Sequence, residues 1–250
     1  MEHFEGKVVL VNGGTSGIGA EAVKQFAERG ARVYFTGRRE DEGKSVEQEA
    51  GSTAHFHKVD NTNRQEVADF FEKLLEEEEQ IDILFNNSGV LSLGSGPLAR
   101  VKEEDWDELI AVNQTALFLY MKYTLQQMQK QKSGAIINNA AILGNDKVNP
   151  MLPAYSGTKA AVKAMTKSTA LRFARQGIRV NCISPGPTKT KLAVKAYGNE
   201  ESFDKASKEA PRGSYADPSE IVAAVRFLAS DAASYVIGTE LVVDGGYSLK

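Results

Sequence analysis

Short apolar segments alternate with longer amphipathic segments along the whole chain of 250 residues, and few folds accommodate that alternation. The apolar segments are rich in Val and Ile, which is typical of strands buried on both faces of a parallel sheet. The amphipathic segments predict helices on both faces, and right-handed crossovers then give one doubly wound α/β domain. Strands are predicted at residues 7–11, 31–36, 54–59, 81–85, 135–139, 179–183 and 240–243, and helices at 18–29, 41–49, 64–79, 105–129, 154–176 and 219–228.

The charge and cysteine content exclude several classes of protein. The chain has 30 basic and 33 acidic residues, without the basic footprint of a nucleic-acid-binding protein. Its one cysteine, Cys182, rules out an intramolecular disulfide and favours a reducing compartment. No signal-peptide pattern opens the sequence, and no apolar stretch approaches the ~20 residues of a membrane-spanning helix. We therefore expect a soluble, cytoplasmic protein with neither nucleic-acid nor membrane partners.

We also expect no metal site. Among the three histidines, His3 lies close to the start of the sequence. His55 and His57 fall in one predicted strand, where we expect their side chains to point to opposite faces of the sheet. Two imidazoles on opposite faces could not bind one ion.

A glycine-rich turn, residues 12–19, follows the first predicted strand and leads directly into a helix. Glycines permit a tight turn and let the backbone approach a pyrophosphate closely. The N-terminus of the next helix offers unpaired N–H groups and the positive end of the helix dipole. Within a strand–turn–helix unit, this pattern predicts a dinucleotide site. The residues assigned to it are Gly13, Thr15, Ser16, Gly17, Ile18 and Gly19.

The end of the second predicted strand indicates which dinucleotide binds. An NAD site usually has an Asp or Glu there, which accepts hydrogen bonds from the ribose 2′-hydroxyl. This chain instead has Gly37, Arg38 and Arg39. A guanidinium can bind a 2′-phosphate through charge-assisted hydrogen bonds, so the sequence favours NADP(H). The alternative is that both arginines only begin a solvated helix.

Further motifs follow in a fixed order, and the chain resembles the short-chain dehydrogenases/reductases over essentially its full length. The glycine-rich turn matches the family's TGxxxGxG, with Asn12 in place of Thr. The family's NNAG is matched with Ser88 in place of Ala, and Asn113 lies in a helix where the family has an active-site Asn. The other matches are Tyr155 and Lys159 for YxxxK, Pro185-Gly186 before the nicotinamide loop, and Val243-Asp244-Gly245-Gly246 for the C-terminal signature.

The resemblance implies a Rossmann-type domain and an NADP-dependent oxidoreductase that acts on a small-molecule carbonyl or alcohol. It implies a homotetramer that packs through the helices containing Asp105 and Tyr155 and through the C-terminal strand. It further implies that Lys159 holds the nicotinamide ribose and that Asn113 binds a water that resupplies protons. The remaining implied contacts are Asp60 and Asn61 at the adenine, Asn87, Ser88 and Gly89 along the cleft, and Pro185, Gly186, Thr188 and Thr190 at the nicotinamide half.

The chemistry of the Tyr155–Lys159 pair follows from its spacing. Residues four apart on a helix share one face. Hydride addition to a carbonyl leaves an alkoxide that needs a proton, which a tyrosine hydroxyl can supply. The Lys159 ammonium and the positive charge of oxidised nicotinamide would both stabilise the phenolate. We therefore expect them to lower the pKa of Tyr155 from its usual value of ~10.

One element of the family pattern is missing, namely the serine that binds the substrate carbonyl. Its two candidate positions are Ala140 and Ala141, and the segment that leads to Tyr155 is one residue longer than usual. Losing such a donor typically lowers the rate by ~10²–10³. Asn139 or Ser88 could replace it, or the substrate could supply its own contacts. Alternatively, the chain is a cofactor-binding relative with weak or no redox activity that acts as a regulator or interaction protein, or it catalyses non-redox chemistry such as dehydration.

The substrate pocket is expected to form from three loops, at residues 91–100, 145–153 and 187–213. The third is long, polar and poorly periodic, and loops of that length in compact domains are usually functional. We therefore predict a substrate loop over residues 187–213. The loops contain a mixture of Leu, Met, Tyr and Lys that identifies no particular substrate.

Overall fold

The computed structural model describes residues 3–91, 96–144 and 147–250, and within them seven parallel strands form a single sheet. The strand order is β3-β2-β1-β4-β5-β6-β7, which confirms the predicted doubly wound sheet. The order reverses between β1 and β4, so a crevice opens at the carboxyl ends of these strands. The strands are β1 (Val8–Asn12), β2 (Arg32–Gly37), β3 (Ala54–Lys58), β4 (Ile83–Asn86), β5 (Gly134–Asn139), β6 (Ile178–Pro185) and β7 (Glu240–Val243).

Helices cover both faces of the sheet because strand side chains alternate between two apolar cores. Val9 and Val11 pack in one core, and Val8 and Leu10 pack in the other. None of the described helices is long and apolar enough to cross a membrane. The first core is covered by α1 (Gly17–Ala27), α2 (Glu40–Ala50) and α9 (Pro218–Ala229), and the second by α3 (Arg64–Glu77), α5 (Ala116–Gln131) and α6 (Pro153–Phe173).

The predicted helix at residues 105–129 is interrupted. It consists of α4 (Glu103–Ile110), a π-helical turn (Ala111–Thr115) and α5. A π turn adds only a small angular offset to the apolar stripe, so the periodicity still resembles that of one continuous helix. Such turns are rare and occur often at functional sites. This one contains Asn113.

The segment predicted as a substrate loop, residues 187–213, has secondary structure that the sequence analysis did not predict, namely α7 (Lys191–Ala196) and α8 (Glu200–Lys208). Each helix begins at a capping side chain, Thr190 for α7 and Asn199 for α8, which accepts a hydrogen bond from a first-turn N–H. α7 has only six residues and α8 is mostly polar, so neither shows the apolar repeat that reveals longer helices. Of the other two pocket loops, residues 92–95 and 145–146 lie outside the described part of the chain.

The prediction that His55 and His57 point to opposite faces is also wrong. Residues two apart in a strand share a face. Both rings pack beside Tyr34, with centroid separations of 5.0 Å for His55 and 5.9 Å for His57. Within residues 3–91, 96–144 and 147–250, no group of three His, Cys, Asp or Glu side chains is arranged to hold a metal ion.

Candidate active site

A cleft of about 380 Å³ opens at the carboxyl ends of the strands, which is a volume typical of small-molecule sites. It brings together all the predicted site residues except Gly19 and Asn113. Leu192 and Ala193 of α7 also line it, and the sequence analysis missed them because it placed no helix there. The predicted residues in its wall are Gly13, Thr15, Ser16, Gly17, Ile18, Gly37, Arg38, Arg39, Asp60, Asn61, Asn87, Ser88, Gly89, Tyr155, Lys159, Pro185, Gly186, Thr188 and Thr190.

The glycine-rich turn is packed so closely that side chains would not fit. Gly13 has a φ of +80°, and a Cβ there would lie 2.6 Å from the Ser88 hydroxyl oxygen. A Cβ at Gly19 would lie 2.1 Å from the Gly13 carbonyl oxygen. Gly19 therefore supports the turn from behind and does not line the cleft. The front of the turn keeps the open backbone surface that a pyrophosphate requires.

The two adjacent arginines occupy different environments. Arg39 donates hydrogen bonds from Nη2 to the hydroxyls of Ser16 at 2.7 Å and Thr15 at 3.1 Å, so it braces the glycine-rich turn. Arg38 is exposed, and its charge acts on Asp60. Burial raises the pKa of the Asp60 carboxyl, but hydrogen bonds from the N–H and hydroxyl of Thr62, together with the Arg38 charge, bring it below its usual value.

Two departures from the family motifs, Asn12 and Ser88, contact each other directly. The Ser88 hydroxyl donates to Asn12 Oδ1, and Asn61 Nδ2 donates to both residues, at 2.7 Å to Asn12 and 2.8 Å to Ser88. The hydroxyls of Thr36 and Tyr120 donate to Asn61 Oδ1. All hydrogen-bonding groups of the Asn61 amide thus have partners inside the protein. A ligand in the cleft could make van der Waals contact with this side chain but would find no free hydrogen-bonding group on it.

Tyr155 and Lys159 face the cleft from the first turns of α6. Lys159 Nζ lies 5.7 Å from the centre of the Tyr155 ring and donates to the carbonyl oxygen of Asn139 at 2.7 Å. Burial lowers the pKa of Lys159 to about 8. Burial also raises the pKa of Tyr155 well above its usual value, because it disfavours the charged phenolate. The predicted lowering depends in addition on the positive charge of oxidised nicotinamide and stays a prediction.

Asn113 links the segment after β4 to α6. Its Oδ1 accepts from the Val90 N–H at 2.9 Å, and its Nδ2 donates to the Val90 carbonyl oxygen and to the Thr158 hydroxyl, both at 3.1 Å. The side chain is buried. A water bound at this residue would therefore have to use the main chain, which the π turn distorts, and not the amide side chain.

The structure separates the two candidate positions for the missing serine. Both alanines line the cleft, but Ala140 also packs into the core on the α3, α5 and α6 face, whereas Ala141 does not belong to that core. Ala141 is therefore the relevant position. The two possible replacements are already engaged, because Ser88 donates to Asn12, and Asn139 Nδ2 donates to Asn87 Oδ1 at 2.9 Å. Asn87 is fixed in turn by its own donation to the Gly13 carbonyl oxygen.

Comparison with known proteins identifies the family. The family model described as enoyl-(acyl carrier protein) reductase matches residues 13–248, and relatives that align over nearly the whole chain are dehydrogenases and reductases. The chain belongs to the short-chain dehydrogenase/reductase family. This confirms the resemblance derived from the motifs.

Relatives of this short-chain dehydrogenase/reductase match it from end to end. A 2,5-dichloro-2,5-cyclohexadiene-1,4-diol dehydrogenase from Sphingobium indicum is 35% identical over 98% of this chain and 97% of its own. A cyclopentanol dehydrogenase from Comamonas testosteroni is 35% identical over 99% of both. Among solved structures, an actinorhodin polyketide ketoreductase with NADPH has a TM-score of 0.92 at 30% identity over 100% of both chains.

Proposed function

We propose that this short-chain dehydrogenase/reductase is an NADP(H)-dependent oxidoreductase that interconverts a small-molecule carbonyl compound and its alcohol, with Tyr155 as the acid/base. The observation that carries the proposal is the position of the Tyr155 phenol beside the buried Lys159, in the same cleft as the glycine-rich turn. A proton donor and a dinucleotide cradle in one cleft are what hydride transfer to a carbonyl requires. The dehydrogenases and reductases among its relatives support the same reaction class.

The cleft fits a dinucleotide along its length. The glycine-rich turn would hold the pyrophosphate, and Asp60 and Asn61 would border the adenine. Arg38 would bind the 2′-phosphate, since Arg39 is already bonded to the turn. Lys159 would hold the nicotinamide ribose, and Thr188 and Thr190 would contact the nicotinamide half. The NADPH-bound ketoreductase and a structure titled ElxO with NADP bound, with a TM-score of 0.90 at 31% identity, support this choice of cofactor.

When bound, the nicotinamide would supply the hydride for reduction, and the proton steps fall to residues of this chain. As the carbonyl carbon is reduced, its oxygen gains negative charge, and the Tyr155 hydroxyl donates a proton to that oxygen. The raised pKa keeps the phenol protonated at neutral pH, so Tyr155 begins the reduction as an acid. The Lys159 ammonium, anchored on the Asn139 carbonyl, then stabilises the phenolate until it is reprotonated.

Replacing Tyr155 tests the proposed chemistry. Tyr155→Phe should lower kcat by about 10²–10⁴, the usual contribution of a positioned acid or base, and should leave the Kd for NADPH within about twofold. The measurement is NADPH oxidation against a panel of ketones and aldehydes, with Kd from cofactor fluorescence. Tyr235→Phe is the control, because that ring is almost fully exposed. Retained turnover in Tyr155→Phe would place the chemistry elsewhere.

A second candidate function rests on Ala141. With no hydroxyl there, and with Ser88 and Asn139 engaged, the chain could bind the cofactor as a regulator or interaction protein with little redox activity. The same assay separates the two functions. Tight NADPH binding by the wild-type protein, without turnover on any carbonyl or alcohol tested, would favour the second.

For the assembly, we propose a homotetramer. The supporting observation is a set of large apolar side chains that remain exposed on the expected contact elements. Trp106 and Phe118 lie on α4 and α5, Leu171 lies on α6, and Val242 lies on β7. Contact between copies of the chain would bury these side chains.

A further inference from the structure

The side chains around Tyr155 leave it without a partner for stabilising a developing oxyanion. Among the described residues near it in the cleft, Ser88 and Asn139 have internal acceptors, and the Thr188 hydroxyl donates to the Gly186 carbonyl oxygen at 3.0 Å. The Thr190 hydroxyl accepts a hydrogen bond from the Ala193 N–H, and its methyl group is 3.0 Å from the Cβ position of Gly17. Among the described residues next to Lys159, the Tyr155 hydroxyl is therefore the side-chain donor with no acceptor inside the protein.

The surroundings of that oxygen make the missing donor matter more. Ala141, Leu91, Leu192 and Ala193 contribute apolar side chains to the wall of the cleft, next to polar ones such as Ser88 and Asn139 that already have partners. Negative charge in an apolar, low-dielectric environment is costly unless a donor or dipole compensates it. Removing one pre-organised donor costs ~10²–10³ in rate. The burial that raises the pKa of Tyr155 also makes the remaining donor a weaker acid. An electron-withdrawing group on the substrate would supply the stabilisation that the Ala141 side chain does not.

We propose that the substrates of this cleft are uncharged carbonyl compounds activated by an adjacent electron-withdrawing group, with vicinal diketones as the simplest class. This rests on the proposed oxidoreductase function and specifies its substrate. In the reduction, the C=O π bond opens as the carbon receives the hydride of NADPH, and the oxygen takes the Tyr155 proton. The products are one hydroxy ketone and NADP⁺. The second carbonyl withdraws electron density from the oxyanion and so replaces the donor that Ala141 lacks.

Three substrates with the same four-carbon skeleton test this, namely diacetyl, acetoin and methyl ethyl ketone. Wild-type kcat/KM should be at least about 100-fold higher for diacetyl than for methyl ethyl ketone, matching the value of the missing donor. Acetoin should resemble methyl ethyl ketone, because a hydroxyl withdraws electrons more weakly than a carbonyl. Ala141→Ser restores a donor, so it should raise kcat for methyl ethyl ketone about tenfold or more and for diacetyl less than about threefold.

Ala140→Ser is the comparison variant, since it adds the same hydroxyl at the neighbouring position, whose side chain packs into the core. It should raise kcat for methyl ethyl ketone less than Ala141→Ser does, and NADPH Kd should be the same in all three proteins. The wild-type ratio tests the proposal even if a variant folds poorly. Comparable wild-type rates for diacetyl and methyl ethyl ketone, equal gains for both in Ala141→Ser, or acetoin as good as diacetyl would each overturn it. NADPH binding without turnover of any carbonyl by wild type or Ala141→Ser would overturn the proposed function itself.

Discussion

Neighbouring residues of the same type have different roles in this cleft, and Arg38 and Arg39 illustrate this at the scale of single residues. Arg39 is held by two hydroxyls of the glycine-rich turn and by Glu42. Its guanidinium stabilises the protein's own loop. Arg38, next to it, is exposed beside Asp60. Its guanidinium would therefore be available to bind a 2′-phosphate.

Charge reversal at Arg38 tests that division. Arg38→Asp should raise the Kd for NADPH about 100-fold, because a charge-assisted hydrogen bond worth up to ~3 kcal/mol is lost and a repulsive carboxylate is added. The Kd for NADH should change less than about threefold. Arg175→Asp, at an exposed position in the turn between α6 and β6, controls for the change in net charge. A wild-type preference for NADH, or equal losses for both cofactors, would contradict the assignment to NADP(H).

At the scale of elements, the helix that carries Tyr155 is fastened to the edge of the sheet. Lys163 is one turn beyond Lys159 on α6 and is only 1% exposed. Its ammonium lies 2.5 Å from a carboxylate oxygen of Glu240 on β7, and the Ser184 hydroxyl of β6 donates to the same oxygen at 2.6 Å. This buried ion pair joins the helix to the last two strands.

Removing one partner of the ion pair should destabilise the protein strongly, whereas replacing both partners with apolar residues should restore most of the stability. Lys163→Met leaves the Glu240 carboxylate buried without its cation, so the free energy of unfolding should fall by about 3–5 kcal/mol. The double variant Lys163→Met with Glu240→Leu should recover most of that loss, because both charges are gone. Urea unfolding measures both. Lys44→Met, which breaks the exposed pair with Glu40, should have little effect.

A double variant as unstable as the single one would show that Lys163 contributes through contacts other than the ion pair. The measurement therefore also tests whether charge pairing or packing of the long side chain holds α6 in place.

The same scale shows what the sequence can and cannot predict. All seven strands and the helices that pack on the cores were predictable, because their apolar periodicity is strong. The π turn at Asn113 and the short helices α7 and α8 were not, because their geometry depends on individual hydrogen bonds. The sequence motifs predicted most of the residues that line the cleft. Neither motifs nor periodicity shows which hydrogen-bond donors already have acceptors inside the protein. The roles of Asn61, Asn139 and Arg39 depend on tertiary contacts between residues far apart in the chain.

At the scale of the whole molecule, two separate surfaces remain apolar. One lies on α4 and α5, where Phe118 is 47% exposed and Trp106 is 42% exposed. The other lies near β7, where Val242 is exposed. Two independent self-complementary surfaces generate a dimer of dimers when both are occupied, which is the common route to tetramers of this symmetry.

A charged side chain on the apolar surface of α4 and α5 should prevent the contact that this surface makes in the proposed tetramer. Phe118→Glu should convert the proposed tetramer into dimers, because an unpaired carboxylate cannot be buried in an apolar contact. Sedimentation velocity gives the result directly. Leu98→Glu, at an exposed leucine outside the α4 and α5 surface, should leave the tetramer intact. A wild-type monomer, or an unchanged tetramer in Phe118→Glu, would refute this arrangement.

The contact between Asn12 and Ser88 bears on how such sequences diverge. Each residue departs from its family motif, yet the Ser88 hydroxyl donates to the Asn12 oxygen, so each side chain supplies what the other needs. A variant that restores only one motif residue would remove this hydrogen bond, while Asn61 would still donate to the side chain that remains. We therefore expect the two substitutions to be epistatic, so that the effect of changing either residue depends on the other. A motif search that scores positions independently counts two mismatches here, where the structure has two side chains in direct contact.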